Sequence, residues 1–304
     1  RIMSYTPPKI QANEINIHPS VEIGDNVEII CDKIKIGKFS KIGNNVKIHC
    51  KSFNAGTWLY VCDDVEIGRG GCYSPNSNVK IGNHVGIFEK TIINPSESVE
   101  IGDDVGIGGE VMIWTHGAWL DVTQGFPSDF GPVKIGNNVW LPARSIVLPN
   151  VTIGDNTVIG IGSIINRNIP KNCFAAGAPC KVINKECYPK NLDTKDLNNI
   201  VLNILDDWSK LLEDKNIDYV DVSYDENKKR ITLEQRKMSV IISKDGDAKN
   251  KKWREFTHYD VDKKEMTGLT NEVSEDLRDY LRRRGIKIYT DKPFKSIKPS
   301  WMTT

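Results

Sequence analysis

The sequence has almost no net charge: 41 Lys and Arg stand against 40 Asp and Glu, a formal balance of +1. A chain so balanced carries no bulk field that would draw it to nucleic acid or to an anionic membrane. It lacks any apolar run long enough to span a bilayer. Its opening, RIMSYTPPKI, has no apolar core of signal-peptide type, and Met3 is the expected natural start. A cytoplasmic location is the resulting expectation. C-x-x-C spacing is absent, and the seven cysteines (Cys31, Cys50, Cys62, Cys72, Cys173, Cys180 and Cys187) are odd in number. That pattern suits reduced thiols, mostly small packing residues, better than a disulfide framework or a zinc site. No G-x-x-x-x-G-K-[ST] and no Rossmann fingerprint in a strand–helix setting occurs, which disfavours nucleotide hydrolysis and dinucleotide chemistry. Histidine is scarce, with five in the chain, so each can be weighed singly.

What is present is repetition. The unit I-G-[DN]-[NDH] opens at Ile23, Ile42, Ile81, Ile101, Ile135 and Ile153. Aliphatics recur every six residues at Ile135, Leu141, Val147, Ile153, Ile159 and Ile165, and the same step joins Ile17, Ile23 and Ile29, then Ile36, Ile42 and Ile48, then Ile101, Ile107 and Ile113. A period of six matches neither a helix nor a single strand. It fits a flat-sided coil in which each side is a short strand with one aliphatic pointing inward. The Gly-Asp-Asn and Gly-Asn-Asn triplets that follow turn tightly and tolerate positive φ. Three sides per coil give a triangular parallel β-helix stabilised by stacking. A stack of antiparallel hairpins would not hold a period of six through so many turns.

The hexad pattern resembles the left-handed β-helix (hexapeptide-repeat) acyltransferases, most closely over residues 133 to 183, VKIGNNVWLPARSIVLPNVTIGDNTVIGIGSIINRNIPKNCFAAGAPCKVI. That stretch is similar to the C-terminal half of the galactoside and maltose acetyltransferases. The resemblance covers roughly residues 15 to 184. It implies an acetyl-CoA-dependent acetyltransferase of sugars, glycans or nucleotide sugars, with O- and N-transfer both open. Such acceptors fit polysaccharide biosynthesis. It also implies a homotrimer with active sites between subunits, and no metal.

The repeat breaks at VMIWTHGAWLDVTQGFPSDFGPV, residues 111 to 133, with His116 at the break. An imidazole can take the proton of a hydroxyl or amine as it attacks a thioester. The resemblance gives the histidine of this loop that role. Ala118 departs from the family, because many relatives carry a second histidine there, and His84 is the reserve base. His18, His49 and His258 have no comparable context and are expected to be structural or exposed. Glu89, Glu97, Glu110, Asp121 or a backbone carbonyl could orient the base. Asn94, Trp114 and Trp119 are the candidates on the acceptor side. By resemblance, the amide of Ala143 faces the oxyanion, Trp140 flanks the pantetheine, and Ile161 and Gly162 line the coenzyme groove. Asn166 and Arg167 then lie near the adenine and phosphates, with Lys181 at a position often basic in the family.

Two other function classes share the architecture. Gamma-type carbonic anhydrases need three imidazoles around zinc, and here His84 and His116 stand far apart without a third close by. A non-catalytic scaffold would need neither His116 nor the closing AAGAPCKVI. A xenobiotic (antibiotic) O-acetyltransferase is the near alternative.

The expected domains are an N-terminal arm over 1–15, the β-helix over 16–184, and a small α+β domain of unknown role over 190–304. In the last, residues 193 to 213 have helical spacing, residues 217 to 247 read as strands with turns, and a hairpin is expected around DVDKK. NEVSEDLRDYLRRRG reads as a helix with Asn271 as N-cap and Gly285 as stop. Arg282, Arg283 and Arg284 read as a solvated helix end rather than a phosphate grip.

Overall fold

A computed structural model describes residues 6–68, 72–218, 222–225, 230–233, 238–241 and 256–302. The chain divides into two compact units, residues 1–190 and 191–304.

The first unit is the parallel β-helix that the six-residue period demands, with three sheets visited in turn by every coil. The first sheet has eight strands, from Lys9–Gln11 to Ile164–Ile165. The second has seven, from Glu14–Ile17 to Thr152–Ile153. The third runs from Glu22–Ile23 to Phe174–Ala176 and ends on the antiparallel strand Lys181–Asn184. The stack starts earlier than expected: Lys9–Gln11 already pairs in parallel with Glu28–Ile30, so residues 9–15 form part of the coil rather than a free arm.

Each side sends one aliphatic inward. On the third sheet Ile87, Ile107 and Leu141 stack in register and are fully buried. Full burial of such a side chain contributes roughly 1.5–3 kcal/mol, which explains why position six is invariably apolar.

The I-G-[DN]-[DN] motif is explained by the distance between coils. A Cβ on Gly102 would stand 2.8 Å from the carbonyl carbon of Gly136 in the next coil, so glycine at this position lets these two turns stack. The following residue caps a neighbouring amide, as when Asn83 N–H donates to Asp103 Oδ1 at 2.6 Å. The next residue takes positive φ, as Asp104 does at 56°. Asn and Asp meet both demands best among residues with a side chain.

The second unit is α+β. Helix α1, Thr194–Lys210, starts at Asp193, whose carboxylate accepts from the Asp196 amide at 2.8 Å. Helix α2, Glu272–Arg283, has Asn271 and Ser274 in a reciprocal capping box, and Gly285 follows it at φ 93°. The expected hairpin around DVDKK is the antiparallel pair Thr257–Asp260 and Glu265–Gly268, within a five-stranded sheet. Lys215 Nζ is buried against both Asp276 oxygens, at 2.8 and 2.6 Å, while Trp208 Nε1 and the Ile297 amide also donate to that carboxylate. Arg282 and Arg283 pair with Asp279, and Arg284 donates to the Tyr280 hydroxyl, so all three are engaged within their own helix.

The inward and outward positions of one coil should respond oppositely. Ile107→Ala is expected to cost about 2–5 kcal/mol of stability, whereas Glu100→Ala, an exposed neighbour on the second sheet, should stay within about 0.5 kcal/mol. Chemical denaturation checks both, and equal effects would contradict the inward–outward assignment.

Candidate active site

Coil lengths locate the site. The coil runs 19 residues from Ile29 to Ile48, 26 from Ile67 to Ile93, and 34 from Ile113 to Val147. In both long coils the excess lies between the first and second sheets, after Glu66–Ile67 and after Met112–Trp114. Inserted residues leave at an edge because the three stacked sides have no room for them.

The second insertion is a hairpin. His116–Ala118 pairs antiparallel with Ser128–Phe130, and His116 lies opposite Phe130. Its base is tied to the coil: Gly131 N–H donates to the Thr115 carbonyl at 2.9 Å, and Asn150 Nδ2 donates to Asp129 Oδ1 at 2.8 Å. The Phe130 ring stacks on the His116 ring at 5.6 Å, and Trp114 meets it edge-on at 6.3 Å. His116 Nδ1 is buried and has no hydrogen-bond partner among the described residues. Two aromatic walls therefore flank the imidazole, where a carboxylate or a backbone carbonyl was expected to orient it.

None of the four acidic candidates is in place to orient it. Glu110 binds Arg144 at 2.7 Å on another edge, and this guanidinium holds its carboxyl below the usual range. Asp121 is drawn low by the Thr123 hydroxyl, which donates to it at 2.7 Å as it caps a turn within the hairpin. Glu97 accepts from Asn76 at 3.0 Å. Glu89 lies between the third and first sheets, away from the hairpin edge. The reserve base, His84, is also on another edge, with Nδ1 3.3 Å from Asp104. His49 pairs with Glu28, His18 with Ser20, and His258 is buried in the second unit.

The acceptor-side residues differ among themselves. Trp114 flanks His116. Asn94 is buried: its side-chain oxygen accepts from Ser96 and Cys72, and its carbonyl accepts from Thr115 at 2.7 Å. It holds the corner together. Trp119 is 95% exposed in its own chain.

The coenzyme candidates gather on two places. Asn166 and Arg167, both exposed, leave the first sheet at the same edge as His116, two coils further on. Trp140 lies on the third sheet, while Ala143, Ile161 and Gly162 turn from the third sheet to the first. The edge of the Trp140 ring abuts Gly106, where a Cβ would be 2.6 Å from it. Lys181 is exposed on the final strand.

The Ala143 turn carries a feature that was missed in the sequence. At earlier turns of this edge the amide is capped from the next coil: Asp25 N–H donates to Asn44 Oδ1 at 2.9 Å, and Asn44 N–H to Asp63 Oδ1 at 2.8 Å. At Ala143 the next coil presents Ile161, which has no acceptor, because Trp140 is in register with Val158. The Ala143 amide is thus left without that cap. The signal was readable: turns GDNV, GNNV and CDDV give way to FEKT, GGEV, PARS and GIGS. Beside it, Gly162 has φ 68° and open space where a side chain would stand.

Residues 132–167 match the family model "Bacterial transferase hexapeptide (six repeats)". The galactoside O-acetyltransferase of Escherichia coli (strain K12) is 58% identical over 52 residues, which are 17% of this chain and 26% of that protein. A Saccharomyces cerevisiae protein bearing an acetyltransferase name is 43% identical over 112 residues, 36% of this chain and 57% of its own. The chain thus spans from about a quarter to just over half the length of these curated relatives. Among solved structures, a maltose O-acetyltransferase from Clostridium difficile 630 aligns at 26% identity over 57% of this chain and 70% of that one, with a TM-score of 0.32. The likeness to hexapeptide acetyltransferases read from the sequence is borne out.

Asn150 anchors the hairpin through two bonds, to Asp129 Oδ1 and to the Phe130 carbonyl. Asn150→Ala should accelerate amide exchange across residues 116–130 by about tenfold while leaving the coil core protected. Unchanged exchange would show that the hairpin holds its position without this anchor.

Proposed function

From a coil whose repeat segment carries the bacterial transferase hexapeptide, we propose that the chain is an acetyltransferase. It moves an acetyl group from acetyl-CoA to a hydroxyl or amine of a sugar, glycan or nucleotide sugar. The observation that carries this reading is a complementary pair: an imidazole with a buried, unpartnered nitrogen at His116 and an uncapped amide at Ala143. Acyl transfer from a thioester needs a base for the incoming nucleophile and a donor for the carbonyl oxygen as it gains charge.

Acetyl-CoA supplies the activated acyl carbonyl. His116 takes the acceptor's proton as the acceptor oxygen or nitrogen attacks, and can return it to the departing thiolate. The Ala143 N–H, fixed in the coil, donates to the developing oxyanion without any reorganisation. Gly162 keeps the approach open, Ile161 adds exposed apolar surface, and Trp140 offers a flat ring to the pantetheine arm. Arg167, with Asn166 beside it, and Lys181 are exposed groups suited to phosphates. Trp114, Trp119 and Asn94 form the acceptor side.

His116 and Ala143 stand on different edges of the prism. One side of five or six residues at about 3.3 Å each is on the order of 15–20 Å, far beyond hydrogen-bond reach. A site that uses both must therefore combine two copies, which supports a homotrimer with sites between subunits. The surfaces agree. The second sheet is polar outside, with Lys35, Lys80, Glu100 and Lys134 exposed, whereas the late coils of the first sheet present Ile92, Met112, Ile146 and Ile164. Trp119, nearly fully exposed, is the kind of residue that a neighbouring chain covers.

An antibiotic acceptor would use the same chemistry, and a panel of sugars, nucleotide sugars and antibiotics separates the two. Two variants test the mechanism by acetyl-CoA turnover. His116→Ala should lower kcat by about 10²–10⁴-fold. Ile161→Asn restores the side chain that caps this amide in earlier coils, and should lower kcat by about 10²–10³-fold at an unchanged melting temperature. Full turnover in either variant would refute the corresponding role.

A further inference from the structure

Two of the seven thiols face each other. Cys31 and Cys50 directly follow Ile30 and His49, which are in register on consecutive strands of the first sheet. Neighbouring parallel strands set their Cα atoms about 4.8 Å apart, inside the separation that a disulfide spans. The two Sγ atoms lie 3.8 Å apart with no bond between them. Cys31 is half-buried and Cys50 is buried, with its Sγ 3.4 Å from the Ser52 carbonyl. We propose that Cys31 and Cys50 form a reversible oxidation site: a hydroperoxide oxidises Cys31, and Cys50 resolves it into a disulfide that clips two coils together.

The asymmetry of the pair assigns the roles. Cys50 can donate its S–H to Cys31, which lowers the Cys31 thiol below its ordinary value, while the same bond and burial push Cys50 up. The more accessible sulfur is therefore also the better thiolate, the form that attacks peroxide. In the first step the Cys31 thiolate takes one oxygen from the peroxide; hydrogen peroxide leaves as water and Cys31 becomes a sulfenic acid. In the second step Cys50 sulfur attacks Cys31 sulfur and the hydroxyl leaves with the Cys50 proton as a second water. Two thiols lose two hydrogens and one peroxide gives two waters. The clip would close only a short loop, residues 31 to 50, on the same prism edge as the hairpin of His116. It constrains the N-terminal coils rather than the chemistry.

The test uses the full chain, reduced and then treated with hydrogen peroxide. Denaturing alkylation and peptide mapping follow. The expected result is a Cys31–Cys50 cross-linked peptide, with alkylation of both residues reduced about tenfold and restored by dithiothreitol. In Cys50→Ser, Cys31 should accumulate as a sulfenic acid that dimedone traps. The proposal is overturned if both thiols stay alkylatable while Cys72 or Cys187 is oxidised. It is equally overturned if Cys31 joins another cysteine or proceeds to sulfinic acid beside an intact Cys50. Should the variant not fold, the wild-type peptide map decides alone.

Discussion

Register between stacked coils is the constraint on which the structure depends. Each strand inside the stack bonds to the strand one coil before and one coil after, so the coils must present the same three sides. Ile87, Ile107 and Leu141 stack because nothing between them changes the path along a side. Glycine at the turns follows from the same closeness, as the Gly102–Gly136 approach makes plain. Additions are admitted only at edges, and both long insertions leave at one of them.

The proposed function rests on two local departures from this regularity. At one edge the coil releases a hairpin and pins its base through Asn150, which leaves His116 between Phe130 and Trp114. At another edge the Asn and Asp caps that close earlier turns disappear, which leaves the Ala143 amide free of that partner. In the proposed mechanism these two groups serve as base and charge-stabilising donor, and both arise with little loss of core. The same rigidity that stabilises the coil keeps the two apart within one chain. On the proposed reading, the prism's width calls for a site shared between chains.

The sheets, the inward aliphatics and the place of the break were legible because each shows within six or twenty residues of sequence. Ile135 and Ile153 announce their coil directly. The surroundings of His116 were not legible, because Phe130 comes to it through hairpin pairing and the acidic residues nearby in sequence have other partners. Glu110 illustrates this: six residues from His116, it belongs to Arg144 on another edge. Asn94 read as a substrate contact, and in the structure it also ties a corner, since its partners Cys72 and Thr115 come from flanking coils. Cys31 and Cys50 read as separate packing residues until the 19-residue coil set them side by side.

The central claim is that one chain offers His116 and its neighbour offers Ala143. Mixing inactive His116→Ala chains with inactive Ile161→Asn chains, by co-expression or by refolding together, tests it directly. Randomly mixed trimers would contain sites with an intact histidine from one chain and an intact groove from the next. The account predicts recovery of up to about a quarter of wild-type acetyl-CoA turnover. Mixtures that stay as inactive as their components would place both residues in a site built by a single chain, and would contradict it.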